Sequence, residues 1–257
     1  MIHPSAIIDP AAELADDVQV GPWTLIGPDV RIGEGTVIGP HVVIRGPTTI
    51  GRNNRIFQFA SVGEDCQHTG YKGETTALEI GDNNIIREHV SIHRGSAGTE
   101  SRLTRLGSNN MLMAGVHIAH DCMVGDNNVF ANLTGLSGHV EVGDGVIFGG
   151  MTGVHQFCKI GSYAMTAGCS LVLKDIPAYV LVGGNPAGAH GMNYVGMKRR
   201  GWSPQVINTL RRAYKTVYRS GLTLEHAIAE LEPGVAECAE LEPFVSTLRS
   251  STRGITR

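Results

Sequence analysis

Residues 19–44, QVGPWTLIGPDVRIGEGTVIGPHVVI, place an aliphatic residue at every sixth position. These positions are Val20, Ile26, Ile32, Ile38 and Ile44, and glycine directly follows the first four. A period of six fits neither the 3.6-residue turn of a helix nor an antiparallel meander, because it leaves room only for a very short strand and a corner. Three such units close one triangular coil, so the stretch predicts stacked coils of parallel strands with the aliphatic residues inside.

The same pattern extends outward in both directions, from Ile2 to Val172, with two interruptions. Of the 26 positions in this phase, Thr166 is the polar exception. Asparagine pairs follow a repeat glycine at 53–54, 83–84, 109–110 and 127–128. Asparagine tolerates the left-handed backbone that a sharp corner demands. The predicted fold class is therefore mainly β, a parallel β-helix of hexapeptide repeats. General crossover rules favour a right-handed coil, but the period itself does not set the hand.

The composition supports a folded chain outside the membrane. The 257 residues include 34 glycines and only 5% aromatic residues, which suits many tight turns, and 42% hydrophobic residues exclude a disordered protein. No apolar stretch is long enough to cross a bilayer, and the first residues lack the features of a signal peptide. The five cysteines are odd in number and form no CxxC pair, which is typical of a reducing compartment. We expect a cytoplasmic protein without stable membrane insertion.

Two segments leave the repeat, at 65–77 and at about 95–104, and must loop out of the coil. Such loops are either linkers or walls of a site, since insertions in solenoids commonly gather on a binding face. After about residue 186 helical signals replace the period. Ser203 and Pro204 predict a helix start that runs to Gly221, Thr223 predicts a second helix, and a third is expected over about 238–250. We therefore predict a β-helix over 1–186 and an α-helical C-terminal domain over 187–257.

Charge is divided between these two parts. Residues 1–186 hold 11 basic and 18 acidic residues, whereas residues 187–257 hold 10 basic and 6 acidic ones. The segment 198–219 has seven basic residues and no acidic residue. This cluster is either a solvated helix face or a surface for an anionic partner. The net charge of −3 and the lack of an aromatic-rich basic motif argue against nucleic acid.

Histidines mark a candidate site. His117 and His120 flank the repeat position Ile118, and because Ile118 points inward, strand alternation directs His117 outward. His139 and His155 follow at intervals close to one coil, so the three histidines at 120, 139 and 155 can stand on successive coils.

Three interpretations of these histidines remain open from the residues alone. They are surface corner residues, or ligands of a zinc ion, or they include a general base, with Asp121 orienting His120. Cys122 could carry an acyl group as a nucleophile, but a lone cysteine in a repeat is more often a buried filler.

The chain resembles the UDP-N-acetylglucosamine O-acyltransferase family along its whole length. The matching stretches are His117-Ile118-Ala119-His120-Asp121-Cys122, Gly138-His139-Val140, Gly149-Gly150-Met151-Thr152, Val154-His155-Gln156-Phe157-Cys158, Lys198-Arg199-Arg200-Gly201, Ala213-Tyr214-Lys215, Tyr218-Arg219 and Ser251-Thr252-Arg253-Gly254. The resemblance implies a left-handed β-helix and a homotrimer with its sites between neighbouring solenoids. It further implies transfer of an (R)-3-hydroxyacyl chain from acyl carrier protein to the 3-hydroxyl of UDP-N-acetylglucosamine, the first step of lipid A synthesis.

The resemblance also implies roles for individual residues. His120 matches the general base, Asp121 its orienting partner and the Gly138 N–H the donor to the oxyanion. Matches to substrate-binding residues are Gln67, His117, His139, His155, Gln156, Gly168, Asn193, Arg199 and Arg200, and Gly168 matches the residue that sets acyl-chain length. Arg211, Arg212 and Lys215 suit an acidic acyl carrier protein. No metal and no cofactor is expected beyond the phosphopantetheine that carries the acyl group.

One departure from the family leaves the acceptor open. Where the family has Asp-Leu-Lys-Tyr, this chain has His68-Thr69-Gly70-Tyr71, so the acid and the lysine that hold the sugar nucleotide are missing. Lys72 can replace them in part, or the acceptor is a 3-amino sugar nucleotide. Three further functions compete with O-acyl transfer. They are that of the related N-acyltransferase, which normally has an extra N-terminal domain, that of a zinc-dependent hydratase on the same solenoid and that of a purely structural solenoid.

Overall fold

The computed structural model describes all residues 1–257 as a triangular solenoid followed by helices. From β1 to β25, successive strands belong in turn to three sheets and pair in parallel, so every third strand is a hydrogen-bonded neighbour. This arrangement confirms the predicted parallel β-helix. Strands are numbered in chain order.

Sheet I comprises β1 (Ile7–Ile8), β4 (Leu25–Ile26), β7 (Val43–Ile44), β10 (Ser61–Glu64), β13 (Ser91–His93), β16 (His117–Ile118), β19 (Gly135–Leu136), β22 (Gly153–Val154) and β25 (Leu171–Val172). Sheet II comprises β2 (Glu13–Leu14), β5 (Val30–Ile32), β8 (Thr48–Ile50), β11 (Ala77–Ile80), β14 (Leu103–Leu106), β17 (Met123–Val124), β20 (Glu141–Val142) and β23 (Lys159–Ile160). Sheet III comprises β3 (Gln19–Val20), β6 (Val37–Ile38), β9 (Arg55–Ile56), β12 (Ile85–Ile86), β15 (Met111–Leu112), β18 (Val129–Phe130), β21 (Ile147–Phe148), β24 (Met165–Thr166), β26 (Val180–Gly184) and β27 (Ala187–Met192).

The repeat positions form the core. From Val20 to Val172 they are buried, and they stack in register from coil to coil, as Ile118 on Leu136 and Leu136 on Val154. Burial of aliphatic side chains at roughly 25 cal/mol per Å² is the main force that stacks such coils.

The corner between sheets II and III has its own polar column. Asn53, Asn83, Asn109 and Asn127 adopt φ between 55° and 60°, as expected for corner asparagines. The asparagine that follows each of them is buried, and its side chain bonds the next coil. The Asn84 Oδ1 atom, for example, accepts from the Asn110 N–H at 2.8 Å. The side-chain oxygens of these buried asparagines thus accept backbone hydrogen bonds from coil to coil along the solenoid.

The C-terminal part begins with a strand before its helices. Residues Ala187–Met192, which the sequence placed in the helical part, form β27, which pairs antiparallel with β26 at the end of sheet III. The helices are α1 (Tyr194–Arg199), α2 (Pro204–Arg219), α3 (Leu224–Val235), the 3₁₀ helix Ala239–Leu241 and α4 (Glu242–Arg249). Ser203 and Thr223 cap α2 and α3 as predicted. No helix has the combination of length and apolar character that a bilayer crossing requires.

The helices are anchored to the last coils. The Tyr179 hydroxyl donates to the Glu240 carbonyl at 2.9 Å, and the Ser251 hydroxyl donates to the buried Asp175 carboxylate at 2.7 Å. The helical part therefore has a fixed place against the solenoid.

Candidate active site

We refer to the corner between sheets I and II as the first corner, that between II and III as the second and that between III and I as the third. Both loops that leave the repeat start from the first corner, one between β10 and β11 and the next between β13 and β14. We call them the first excursion (65–76) and the second excursion (94–102). Residues 119–122 form the first corner of the following coil, which places His120 and Asp121 beside both excursions.

His120 and Asp121 form a pair at this corner. The His120 Nδ1 atom lies 2.7 Å from Asp121 Oδ2, and the two side chains are 13% and 1% exposed. Because a carboxylate only accepts hydrogen bonds, Nδ1 carries the proton, and the Nε2 atom of neutral His120 keeps its lone pair. The geometry suits a general base whose ring is oriented by the carboxylate.

The Asp121 carboxylate is held by the second excursion. Its Oδ1 atom accepts from the Ser96 N–H at 3.0 Å and from the Thr99 hydroxyl at 2.9 Å. Burial alone would raise the pKa of Asp121, but the hydrogen bonds from Ser96, His120 and Thr99 outweigh it and hold this pKa below its ordinary value. Asp121 therefore remains a carboxylate at neutral pH, and it keeps the tautomer of His120 fixed.

His139 lies one coil below Asp121, and not below His120. Its N–H donates to the His120 carbonyl at 3.0 Å, and its ring lies edge-on to that of His120 with centroids 5.1 Å apart. The His139 ring also stacks on Phe157 at 4.5 Å. Burial lowers the pKa of His139 in opposition to the nearby Asp121 charge, so His139 is neutral at pH 7. The predicted neighbourhood of His120 and His139 is present in the structure.

His117 lies on the outer side of β16, as alternation predicted. Its Nδ1 atom lies 2.8 Å from the Ser91 hydroxyl, and its ring lies edge-on to that of His93 at 5.1 Å. Burial lowers the pKa of His117 to about 4, and the neighbouring His93 and His120 add to the shift. His117 is therefore a neutral hydrogen-bonding group.

Gly138 occupies the position one coil below His120. A Cβ atom there would lie 2.5 Å from His120 Cε1 and 2.7 Å from Nε2, so a side chain cannot fit without moving the imidazole. The Gly138 N–H donates to no group of the protein. An unpartnered amide at a residue adjacent to the His120 ring can stabilise negative charge on a reacting oxygen.

The remaining predicted residues of the β-helix lie farther along its corners. His155 shares the next coil with Phe157, but its ring is not part of the stack, and its Nδ1 atom lies 3.1 Å from the Gln156 carbonyl. Gln156 and Gln67 are exposed at the first corner and in the first excursion. Gly168 is exposed at the third corner, where a Cβ atom would have its nearest neighbour at 3.4 Å. His120, His139 and His155 thus stand on successive coils as predicted, but the residues in register are Asp121, His139 and Phe157, with His120 beside this column.

A cavity of about 310 Å³ opens between the two excursions and the first corner. Residues of both excursions line it together with His139 and Phe157. His68 is one of them, and its ring lies edge-on to His120 at 5.7 Å. His68 stands where the family has an acid, but its place beside His120 could not be predicted from the sequence, and neither could those of Ser96 and Thr99, because the excursions have no period from which a position could be counted.

Asn193, Arg199 and Arg200 do not join His120 within the chain. Asn193 is buried and caps α1 by accepting from the Gly196 N–H at 2.9 Å. The guanidinium group of Arg200 lies over the Tyr163 ring at 4.3 Å, at the second corner, and Arg199 is exposed nearby on α1. His120 lies at the first corner.

The basic residues of α2 are exposed and have no acidic partner. Arg211 lies over the Tyr194 ring at 4.9 Å and donates to Asn208 Oδ1, and Arg212 donates to the Thr209 hydroxyl. Neither they nor Lys215 takes part in an ion pair, whereas Arg249 on α4 pairs with Glu232 at 3.1 Å. Their charge is available to a partner.

Cys122 is unsuited to covalent catalysis. It is completely buried, and burial raises the pKa of its thiol to about 12, so the reactive thiolate does not form at neutral pH. The buried filler is the interpretation that the structure favours.

The ligand atoms of His120, Asp121 and His139 lie within 4.8 Å of one another, a spacing that a metal ion could bridge. The short hydrogen bond between His120 and Asp121 uses two of these atoms already. Geometry therefore permits a metal but does not require one.

Known proteins share both the sequence and this architecture. The family model "Udp N-acetylglucosamine O-acyltransferase; Domain 2" matches residues 175–256, and the bacterial transferase hexapeptide model matches 11–46 and 104–138. The acyl-[acyl-carrier-protein]–UDP-N-acetylglucosamine O-acyltransferase of Stutzerimonas stutzeri is 55% identical over 257 residues, which cover 100% of this chain and 99% of that protein. The chain belongs to the UDP-N-acetylglucosamine O-acyltransferase family.

Solved structures of UDP-N-acetylglucosamine O-acyltransferases superpose over the whole chain. LpxA from Acinetobacter baumannii has a TM-score of 0.98 at 56% identity and covers 100% of this chain and 99% of its own. The UDP-N-acetylglucosamine acyltransferase from Arabidopsis still reaches 0.86 at 36% identity, with full coverage of both chains. The family predicted from the sequence is confirmed, and the fold is that of the UDP-N-acetylglucosamine O-acyltransferases in both the solenoid and the helices.

Proposed function

We propose that this chain transfers an (R)-3-hydroxyacyl group from acyl carrier protein to the 3-hydroxyl of UDP-N-acetylglucosamine, the first step of lipid A biosynthesis. The relatives at 54–55% identity are named for acyl carrier protein and UDP-N-acetylglucosamine. The observation that carries the proposal is the His120–Asp121 pair, a base with a fixed tautomer one coil above Gly138, whose N–H has no partner in the chain.

In the proposed mechanism, His120 Nε2 takes the proton of the sugar 3-hydroxyl as its oxygen attacks the thioester carbonyl carbon. The oxyanion of the tetrahedral intermediate accepts a hydrogen bond from the Gly138 N–H, an interaction typically worth about 3–4 kcal/mol. The intermediate collapses, the C–S bond breaks, and the His120 imidazolium returns its proton to the thiolate. An ester forms, the carrier's thiol is released, and the transfer needs no acyl-enzyme.

His117, His139, Gln67, His155 and Gln156 are proposed to position the sugar nucleotide and the acyl chain. The first two are neutral and half-buried beside His120, so they can donate or accept hydrogen bonds without bringing charge to the base. No cofactor is proposed beyond the phosphopantetheine of the carrier. The exposed cations of α2, Arg211, Arg212 and Lys215, are its proposed docking surface.

We propose further that the enzyme is a homotrimer whose sites are shared between copies. The outer face of sheet II is covered by ion pairs, such as Arg105 with Glu79 at 2.7 Å, and suits solvent. The outer face of sheet III instead has an in-register column of apolar side chains: Ile85, Met111, Val129, Ile147, Met165 and Leu181. A second copy packed on this face would bring its own first corner, with His120, toward Arg199 and Arg200 of the first copy, which lie far from His120 within one chain.

Mixing of inactive variants tests the shared site. If Asn193, Arg199 and Arg200 of one copy serve His120 of another, co-expressed His120→Ala and Arg200→Ala chains will regain part of the activity that each lacks alone. Native mass spectrometry of the same samples gives the number of copies. A trimer without regained activity would place each site within one chain.

The base assignment is tested by His120→Ala. Loss of a general base typically costs about two to four decades in rate, and we expect that loss with an unchanged circular dichroism spectrum and an unchanged trimer. His226→Ala, which removes an exposed histidine of α3, is the control and should retain activity. Activity of His120→Ala within a few-fold of the unchanged enzyme would contradict the proposal.

A 3-amino sugar nucleotide is a second candidate acceptor. The cavity beside His139 is lined by His68, Tyr71 and Glu74 but by no lysine or arginine, and Glu74 could accept hydrogen bonds from an amine. A competition assay with the hydroxyl and the amino sugar nucleotides separates the two acceptors. A preference for the amine would indicate that the altered residues of the first excursion select the acceptor.

A zinc-dependent hydratase is a second candidate function, and the spacing of His120, Asp121 and His139 is the observation in its favour. Elemental analysis of the purified enzyme, together with transfer activity after chelation, decides between hydratase and transferase. Stoichiometric zinc in an enzyme that transfers no acyl group would favour the hydratase, whereas acyl transfer that survives chelation would exclude it.

We propose the cytoplasm as the compartment of the reaction. All five cysteines are free thiols, three of them buried, as is typical of a reducing compartment.

A further inference from the structure

We call the residues where the excursions leave and rejoin the sheets their roots. The roots of the two excursions are hydrogen-bonded to each other. Strands β10 and β13 are neighbours in sheet I, so the first excursion leaves directly beside the second. The Arg94 N–H, at the start of the second excursion, donates to the Glu64 carbonyl at the end of β10 at 3.1 Å.

The side chain of Arg94 turns back into the first excursion. It is only 9% exposed, and its guanidinium group donates to the Gly63 carbonyl and to the Asp65 carboxylate. Its Nη2 atom also lies 3.4 Å from the Tyr71 hydroxyl oxygen. The single proton of that hydroxyl lies between two acceptors, Asp65 Oδ1 at 3.1 Å and the Glu74 carbonyl oxygen at 3.0 Å, so the buried cation is connected to both ends of the loop.

The roots also contain unusual unpaired groups. Five buried side-chain polar atoms in the chain have no hydrogen-bond partner, and three of them lie here: Thr76 Oγ1, His93 Nδ1 and Arg94 Nε. A polar atom that is buried without a partner in the protein adds nothing to folding stability. A buried, incompletely satisfied arginine at this place indicates a role other than stability.

Both excursions also lie against the His120–Asp121 pair. The second holds Asp121 through Ser96 and Thr99, and the first places the His68 ring 5.7 Å from the ring of His120. Both also line the cavity beside His139. Movement of the first excursion would therefore change the wall of the acceptor pocket without moving His120 or Asp121.

We propose that Arg94 is a positioning residue that fixes the first excursion as the wall of the sugar-nucleotide pocket. It acts through Asp65 and Tyr71 and contacts no reacting atom. The inference rests on the proposed function, since it concerns the acceptor pocket of that same site.

The test measures loop mobility and kinetics in the same variants. Arg94→Met removes the cation, Arg94→Lys keeps the charge without the branched donor, and Asp65→Asn weakens the pair at an exposed carboxylate, where folding is not at risk. Arg102→Met removes an exposed arginine of the second excursion whose side chain has no hydrogen bond or ion pair, and it serves as the matched control.

We expect amide exchange of residues 66–75 to become about tenfold faster or more in Arg94→Met, since a charge-assisted hydrogen bond of this kind shifts an opening equilibrium by at least that factor. The KM for the sugar nucleotide should rise by a similar factor, with kcat changed much less and the pH profile unchanged. Arg94→Lys and Asp65→Asn should show intermediate effects, and Arg102→Met none.

Unchanged exchange and unchanged KM in Arg94→Met, with active unchanged enzyme, would overturn the role of Arg94 and leave the proposed function standing. A fall in kcat alone would also overturn it, because that result assigns Arg94 to the base and not to the pocket wall. If the unchanged enzyme transfers no acyl group at all, the proposed function fails, and the exchange data still decide whether Arg94 holds the loop. If Arg94→Met does not fold, Asp65→Asn decides by the same two measurements.

Discussion

Residue 138 must be glycine, because the coil above it leaves no room for a side chain. The His120 ring fills the space into which a Cβ atom would project, so the imidazole can keep its place only while residue 138 is glycine. Three residues earlier, Gly135 has no atom within 4 Å of the corresponding position. A side chain therefore fits at residue 135 but not at residue 138, although both lie in the same coil.

Gly138→Ala should abolish most acyl transfer, because the new methyl group displaces His120 Nε2 and crowds the oxyanion donor. We expect a fall in kcat of about two decades or more with little change in melting temperature. Steady-state kinetics of Gly138→Ala and of its control Gly135→Ala check this expectation. Equal effects of the two substitutions would show that Gly138 serves only the backbone.

His117 predicts how stability depends on pH. Its pKa is about 4 in the folded chain and 6.5 in a free histidine, so between these values the unfolded chain binds a proton that the folded chain does not. Stability must therefore fall as pH falls through this window, by at most about 1.4 kcal/mol per pH unit.

Urea unfolding at pH 6.5 and at about pH 5 should show a smaller decline in His117→Asn than in the unchanged protein. The decline will not vanish, since burial also lowers the pKa of His93. His226→Asn, at an exposed position, should behave as the unchanged protein. An identical decline in His117→Asn would assign the pH dependence to other groups.

The repeat predicts which column of the solenoid a residue occupies, but not which side chains it contacts. Counting eighteen residues from Asp121 leads to His139 and then to Phe157, which is the observed column, whereas His155 falls in the column of Ala119. Ser96 and Thr99 were beyond such counting, because an excursion has no period, and their place depends on the hydrogen bonds that Asp121 accepts.

Among the elements, helices were predicted more closely than the strand that precedes them. The Ser203 hydroxyl accepts from the Val206 N–H in α2 and the Thr223 hydroxyl from the His226 N–H in α3, and such caps are visible in the sequence. Strand β27 has small residues without alternation and forms because it covers the edge of β26, a tertiary cause that no local pattern reveals.

Helix α2 should recognise its partner by charge. Combined reversal of Arg211, Arg212 and Lys215 to glutamate should raise the apparent KM for acyl carrier protein by about tenfold or more and leave the KM for the sugar nucleotide unchanged. Added salt should have the same effect on the unchanged enzyme. Reversal of Arg31, an exposed arginine at the other end of the solenoid, is the control. A KM that responds to neither charge nor salt would show that these cations serve solubility.

For the whole molecule, the open surface at Gly168 predicts acyl-chain length. A chain that runs along the third corner meets no side chain there, and each buried methylene adds about 0.8 kcal/mol, so we expect a preference for about fourteen carbons over about ten. Gly168→Met should reverse this preference without loss of stability, since the nearest atom to its Cβ is 3.4 Å away. Competition between acyl carrier proteins that carry 3-hydroxyacyl chains of graded length measures this preference in the unchanged enzyme and in Gly168→Met. A preference of the unchanged enzyme for ten carbons would move the limit to Met165, Leu171 or Leu173.

The column of corner asparagines has a consequence for how this protein can change in length. Asn110 bonds Asn128, and Asn128 bonds the Val146 amide, each pair eighteen residues apart. Deletion of eighteen residues would move everything below the cut up by one layer and restore these bonds. Deletion of six would instead turn the lower part of the molecule by about a third of a revolution and carry the C-terminal helices to another side. The register of the coils is therefore kept when the chain changes length by complete turns, or by residues added within the two excursions, where an insertion neither rotates nor shifts the coils that follow.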